Sequence, residues 1–214
     1  IPAWHNCPNY YLSSYAMPEL FYNQYAHEFK LAYQNGMLGL DIDGPNNSWG
    51  TIGLNLYVMG RLVVDPERSV AELVEEYCAA FGTAASTMQQ YFSYWEKYAM
   101  DNAEQFNHIH ETKSERKWFI YGFNYTAVSH LLFPENAFAP ALAILDEAAS
   151  LAQDDPMAAE RVRFIRQGCE HAQLCSKTSA IFADPDNDNI VRQKAIEQVK
   201  AYRKNLLPQV ADVE

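Results

Sequence analysis

Gly36-Met37-Leu38-Gly39-Leu40-Asp41-Ile42-Asp43-Gly44-Pro45-Asn46-Asn47-Ser48-Trp49-Gly50 is the stretch on which the reading of this chain turns. An apolar run from Met37 to Ile42 carries two carboxylates at its C-terminal end. A Gly-Pro-Asn-Asn-Ser loop follows, and Trp49 opens a segment of helical periodicity. That order predicts a buried parallel strand over residues 37–43 delivering acidic and aromatic side chains to a βα loop. In a (β/α)8 barrel the C-terminal ends of the strands are where reacting groups sit, but a complete barrel takes roughly 250 residues. This chain has 214, and most of the rest reads as helix.

Working back from the strand, Asn35-Gly36 is a helix stop, and Pro18 suits a first helical turn. A helix is therefore predicted from Pro18 to about Asn35. Ile1-Pro2-Ala3-Trp4 reads as the end of an earlier strand, and His5 to Met17 as an ordered loop rich in Tyr, Asn and Pro. Working forward, Ile52, Leu56, Met59 and Val63 recur at helical spacing up to Asp65-Pro66. Ser69 with Glu72 three positions on is a capping-box pattern, and Val70, Leu73, Val74, Tyr77, Cys78 and Phe81 make one apolar face up to Gly82. A long helix is predicted from Thr83 or Ala84 to about His110, burying Met88, Tyr91, Trp95 and Tyr98, with residues 111–117 as a charged connector. The period of the aromatic stretch Trp118–Phe133 fits helix and strand alike, with a helix from about Asn124 favoured. Further helices are predicted across Phe138–Ala152, from Pro156 to about Phe182, and from Asn189 to Leu206. The fold class expected is mainly α: two N-terminal strands as the last elements of a (β/α)8-type barrel, then an antiparallel helical bundle. The division falls at residues 1–48 and 49–214.

The formal net charge of −11, from 27 acidic against 16 basic residues, argues against nucleic acid and anionic membrane as partners. Hydrophobic residues make up 49% of the chain, enough for a sizeable core. No apolar run approaches the roughly 18 residues of a membrane span. The four cysteines, Cys7, Cys78, Cys169 and Cys175, form no metal-ligand spacing and are expected as free thiols. Nucleotide-binding and serine-hydrolase motifs are lacking, and no cofactor or metal is expected. Asn46-Asn47-Ser48 and Asn124-Tyr125-Thr126 match the short glycosylation pattern.

Several of these features occur together in one recognisable set. They are Trp4-His5-Asn6, Met17-Pro18, Asn35-Gly36 before a short strand, Asp43-Gly44 closing it, and Gly53-Leu54-Asn55-Leu56-Tyr57-Val58. Arg61-Leu62, Asp65-Pro66, Val70–Cys78 and Phe81-Gly82-Thr83-Ala84-Ala85 complete it. The chain resembles uncharacterised bacterial glycoside-hydrolase-like proteins carrying a domain of unknown function, similar to α-glucuronidase and β-hexosaminidase barrels with a helical domain after the barrel. The resemblance covers most of the chain and is most specific over residues 35–85. It implies that residues 1–48 are the last strand-loop units of a catalytic-type barrel, and that an N-terminal barrel portion completes it as a partner. It also implies a carbohydrate ligand and an extracellular or periplasmic setting. Related sequences often carry a glutamate near the end of this strand, where this chain has Asp41-Ile42-Asp43. They often carry Trp-Asp-Tyr in place of Trp4-His5-Asn6.

Asp41 and Asp43, two apart on a strand, point to one face, and Asp43 with Asp41 is the candidate catalytic pair. Glycoside hydrolysis uses two carboxylates on opposite sides of the scissile bond, so same-strand aspartates better suit binding of sugar hydroxyls or shifting each other's pKa. A strand-ending aspartate that caps its loop is the plain alternative. Trp4 and Trp49 offer aromatic faces for a sugar ring, against ordinary loop packing. His5, Asn6 and Asn47 complete the candidate substrate-binding set, with a hydrogen-bonded loop histidine as the alternative for His5. His108 and His110 are two apart on a helix and face apart, which favours solvent over a metal. The chain by itself is expected to be inactive, its second carboxylate coming from other strands. The rival reading is a helical protein-interaction module without chemistry.

Overall fold

The computed structural model describes residues 4–6, 16–41, 49–113 and 123–210, and in them the chain is mainly helical. The order is β1 (Trp4–Asn6), α1 (Tyr22–Gln34), β2 (Gly39–Asp41), α2 (Trp49–Val64), α3 (Val70–Ala79), a 3-10 turn (Gly82–Ala84) and α4 (Ala85–Asp101). There follow α5 (Ala103–Lys113), α6 (Phe123–Leu132), α7 (Glu135–Leu151), α8 (Pro156–Ala183) and α9 (Asn189–Val210). The short backbone segments β1 and β2 pair in parallel, with Trp4 opposite Gly39, His5 opposite Leu40 and Asn6 opposite Asp41. Helix α1 connects them.

Local chemistry sets most helix boundaries. The Ser69 hydroxyl accepts from the Glu72 amide at 3.2 Å while the Ser69 amide donates back to the Glu72 carboxylate at 3.2 Å. These two bonds satisfy amides that the first turn of α3 leaves open. Asp155 does the same for α8, taking the Met157 and Ala158 amides at 3.0 and 3.1 Å, with Pro156 in the first turn. Asp188 accepts from the Val191 amide at 2.9 Å and opens α9. Between α3 and α4 the chain turns at Gly82, whose φ of +55° disfavours any side chain.

Several boundaries differ from the expectation: β1 takes in His5 and Asn6 of the expected loop, and β2 spans Gly39–Asp41 of the expected 37–43. Helix α1 starts at Tyr22, not Pro18, because residues 17–21 form a buried strap held by α2. The amide of Asn55 there accepts from the Phe21 N–H at 3.1 Å and donates to the Glu19 carbonyl at 3.0 Å. The bare start of α1 is capped from a distance: the carboxylate of Glu96, on α4, takes the Asn23 amide at 2.7 Å and its side chain at 2.6 Å. The long helix predicted to His110 is two helices, broken at Asn102. The Asn102 side chain donates to the Tyr98 carbonyl at 2.8 Å while its own carbonyl accepts from Phe106 at 2.9 Å. Local hydrogen bonding of this kind is how asparagine competes with a helical ladder. Helix α5 also takes in residues 111–113 of the predicted connector; residues 114–117 lie outside the described residues.

One apolar core runs through this body. Met17, Leu20, Tyr25 and Phe29 share it with Ile52, Leu54, Met59 and Leu62 of α2, Leu73 of α3, and Tyr91, Phe92 and Trp95 of α4. Trp95 is fully buried and meets Phe138 of α7 at 5.2 Å between ring centroids and 62° between planes, and Tyr98 at 5.7 Å and 81°. These are the edge-to-face arrangements that the ring quadrupole favours. The 28-residue α8 is the spine, packing against α2, α6, α7 and α9. Its contact with α2 is a backbone crossing. A Cβ placed on Gly168 would lie 2.7–2.9 Å from backbone atoms of Gly50.

Candidate functional site

The predicted site residues fall at the N-terminal end. Asp43 and Asn47 lie outside the described residues. For Trp4, His5, Asn6 and Asp41 the description is of backbone, and the parallel register sets Asn6 opposite Asp41 at one end of the ladder. Trp49 is the first residue of α2, and its side chain is 56% exposed. Its neighbour Gly50 reaches α8: a Cβ there would sit 3.3 Å from the Phe164 carbonyl and 3.2 Å from Gly168 Cα. Phe164, itself 43% exposed, therefore has its backbone beside the crossing that presents Trp49. Two glycines allow that approach, since any side chain would push the helices apart.

A second constellation joins α8 to α9, and sequence reasoning passed over it except for its cysteine. Arg203 Nε donates to His171 Nε2 at 2.9 Å, and Cys175 Sγ lies 3.6 Å from the same nitrogen. The Tyr202 ring stacks on the imidazole at 6.0 Å and 23°. The Tyr202 hydroxyl donates to the Glu170 carboxylate at 2.9 Å, with the Gln167 carbonyl at 3.2 Å. Glu170 in turn binds Arg166 at 2.8 Å, and Arg166 reaches Asp146 of α7 at 2.6 Å. The signal that could have found half of it is spacing: Arg166 and Glu170, like His171 and Cys175, are four apart and share a helix face.

The electrostatics say what this cluster can do. Burial, helped by the Arg203 charge, holds His171 down to about 4, so the imidazole is neutral and accepts from Arg203. Burial pushes the Cys175 thiol up, against the pull of Arg203. A protonated thiol beside a neutral imidazole is no activated nucleophile, because the thiolate is the reactive form. Burial also lifts Cys78 and Cys169 to about 12. Cys78, Cys169 and Cys175 are free thiols; Cys7 lies outside the described residues. The cluster is a clamp between helices rather than a reaction centre.

Two smaller networks are structural in the same sense. Glu76 of α3 gathers the Tyr57 hydroxyl at 2.5 Å, Arg61 at 3.0 Å and Arg68 at 2.5 Å, tying α2, the 65–69 turn and α3 together. His130 of α6 meets Ser179 of α8 at 2.8 Å, and burial lowers its proton affinity. His108 faces solvent; the side chain of His110 lies outside the described residues. Among the described residues no group of three or more His, Cys, Asp or Glu side chains could hold a metal ion. None of the described helices is long and apolar enough to cross a membrane.

No family model, no curated protein and no solved structure matches this chain.

Proposed function

We propose that this chain is the C-terminal portion of a glycoside-hydrolase-like protein that acts on or binds carbohydrate. In this reading β1 and β2 are the last strands of a (β/α)8-type barrel, and an antiparallel helical domain buttresses them and their sugar site. The observation that carries the reading is the parallel pairing of β1 and β2 around α1, the repeating unit from which such barrels are built. The exposed indole of Trp49, two residues beyond Asn47 and six beyond Asp43, supports a sugar-ring platform beside candidate carboxylates. Asp43 and Asp41 would hydrogen-bond hydroxyls or take a catalytic role together with carboxylates of other strands. Trp4, His5, Asn6 and Asn47 would line the same strand ends. The setting would be extracellular or periplasmic.

The test is oligosaccharide binding by calorimetry, followed by Trp49→Ala. A glycan ligand is expected, with affinity falling by about 1–3 kcal/mol in the variant and thermal melting unchanged. Affinity for every oligosaccharide in a broad panel below detection, with the protein folded, would sink the proposal. The purified chain is also expected to leave aryl glycosides intact, since two opposed carboxylates must be held in place for turnover.

One observation favours the second reading, a non-catalytic helical interaction module. Met157 and Phe164, both exposed, are seven residues apart on α8 and so lie on one face. Loss of a protein partner from a Phe164→Ser variant that keeps its glycan-binding properties would select that reading.

A further inference from the structure

Helix α9 is attached differently from every other helix of the body. Its packing is on α8. Among its described side chains the buried apolar ones, Ala195 and Val199, stand outside the main core cluster; Ile196 and Leu206 are half-buried, and Ile190 and Val191 are exposed. An element with so little buried apolar contact belongs to the part of a protein that opens first. What fastens it is polar: Arg203 on His171, the Tyr202 ring on that imidazole, and the Tyr202 hydroxyl on Glu170. The Arg203 bond exists only while His171 Nε2 has a free lone pair. A proton there makes the nitrogen a donor and sets imidazolium against guanidinium at the same contact.

We propose that α9 is an acid-released strap: protonation of His171 ejects Arg203 and lets α9 lift from α8 while the remaining helices stay folded. The groups around the imidazole give it one trigger. From α9 come Arg203 and Tyr202, with Lys200 and Lys204 exposed on the neighbouring turns. From α8 come Cys175 and Glu170, and Glu170 is tied through Arg166 to Asp146 of α7. On α6, His130 is engaged with Ser179, further along α8. Helix α2 crosses at Gly50–Gly168 and brings no acidic residue in its first turn.

The direction follows from linkage. The docked imidazole holds its proton less tightly than a detached one, at about 4 against an ordinary 6.5. Docking is therefore at full strength above the detached value, weakens as pH falls from 6.5 towards 4, and levels off below that. The gap limits the change in the docking equilibrium to roughly 300-fold.

Hydrogen–deuterium exchange, corrected for the intrinsic pH effect, tests this on the whole chain. Between about pH 7.5 and 4.5, amides of α9 are expected to lose about tenfold or more of their protection, while those of α4 keep theirs. His171→Gln, which retains an acceptor for Arg203 but cannot be protonated, is expected to abolish the pH step. His130→Gln is expected to retain it. Protection of α9 that holds to pH 4.5, or falls in step with α4, overturns the proposal. So does a step that persists in His171→Gln, which would assign it to Glu170, or one that vanishes in His130→Gln. Should the glutamine variant fail to dock α9 at neutral pH, proton NMR of the wild-type chain decides the matter. The His171 ring must titrate below the ordinary imidazole value of 6.5, together with the loss of α9 protection; a midpoint at that ordinary value overturns the strap.

Discussion

Helix α8 meets its neighbours along two seams made in opposite ways. Against α2 the seam is steric: Gly50 and Gly168 let the backbones touch, while α8 sends Val162, Ile165 and Cys169 into the common core. Against α9 it is polar and half-buried, carried by His171, Arg203, Tyr202 and Glu170. A steric seam depends on shape and is indifferent to pH. A polar one depends on protonation and is cheap to open, because its groups find partners in water once separated. One helix thus has a fixed side and a releasable side.

The largest blow to the fixed side of α8 is expected from Ile165→Ala, which leaves a cavity in the core and should cost about 2–5 kcal/mol in urea unfolding. A loss no greater than that of a surface substitution would mean that this side of α8 is not packed. Gly168→Ala should follow, at about 1–3 kcal/mol, because the added methyl meets backbone that has no rotamer to yield. Stability equal to wild type in that variant would show the helices free to move apart, erasing the contrast between seams. Asn55→Ala sharpens the comparison, since Asn55 is a fully buried polar side chain of α2. Losing its bonds to the Phe21 amide and the Glu19 carbonyl should cost about 1–3 kcal/mol. Burial, not polarity, would then govern strength. The smallest effect is expected from Tyr202→Phe, which deletes one half-buried hydrogen bond to Glu170 and should cost about 0.5–1.5 kcal/mol. Its signature is local: faster exchange in α9 with the global midpoint unmoved. A global loss equal to that of Ile165→Ala would make α9 part of the core.

Much of the helical body was legible along the chain because its punctuation is local. Ser69 with Glu72, Asp155 with Pro156, and Gly82 act through neighbours within a few residues, and each stands at a helix end. The predicted burial of Met88, Tyr91 and Trp95 follows from period alone, and all three are buried. The errors came where a distant partner outweighed a local preference. Pro18 reads as a helix start, but Asn55, 34 residues beyond Phe21, keeps that stretch as a strap. The break at Asn102 is local chemistry that the apolar period conceals. Of the candidate site, Trp49 is the one residue whose side chain is described, and its exposure was not readable from period, since a tryptophan opening a helix suits core and surface equally.

The sequence by itself determined most helix ends and which faces go inside, because those depend on neighbours three or four residues apart and on the gain from burying apolar surface. Tertiary structure alone decided the Gly50–Gly168 crossing, the capping of α1 by Glu96 and the meeting of His171 with Arg203. Each joins residues far apart in the chain: 73 between Asn23 and Glu96, and 32 between His171 and Arg203. No periodicity encodes such pairs. They exist because packing the apolar faces brings particular polar atoms to hydrogen-bonding distance, and there burial rather than residue type sets their protonation.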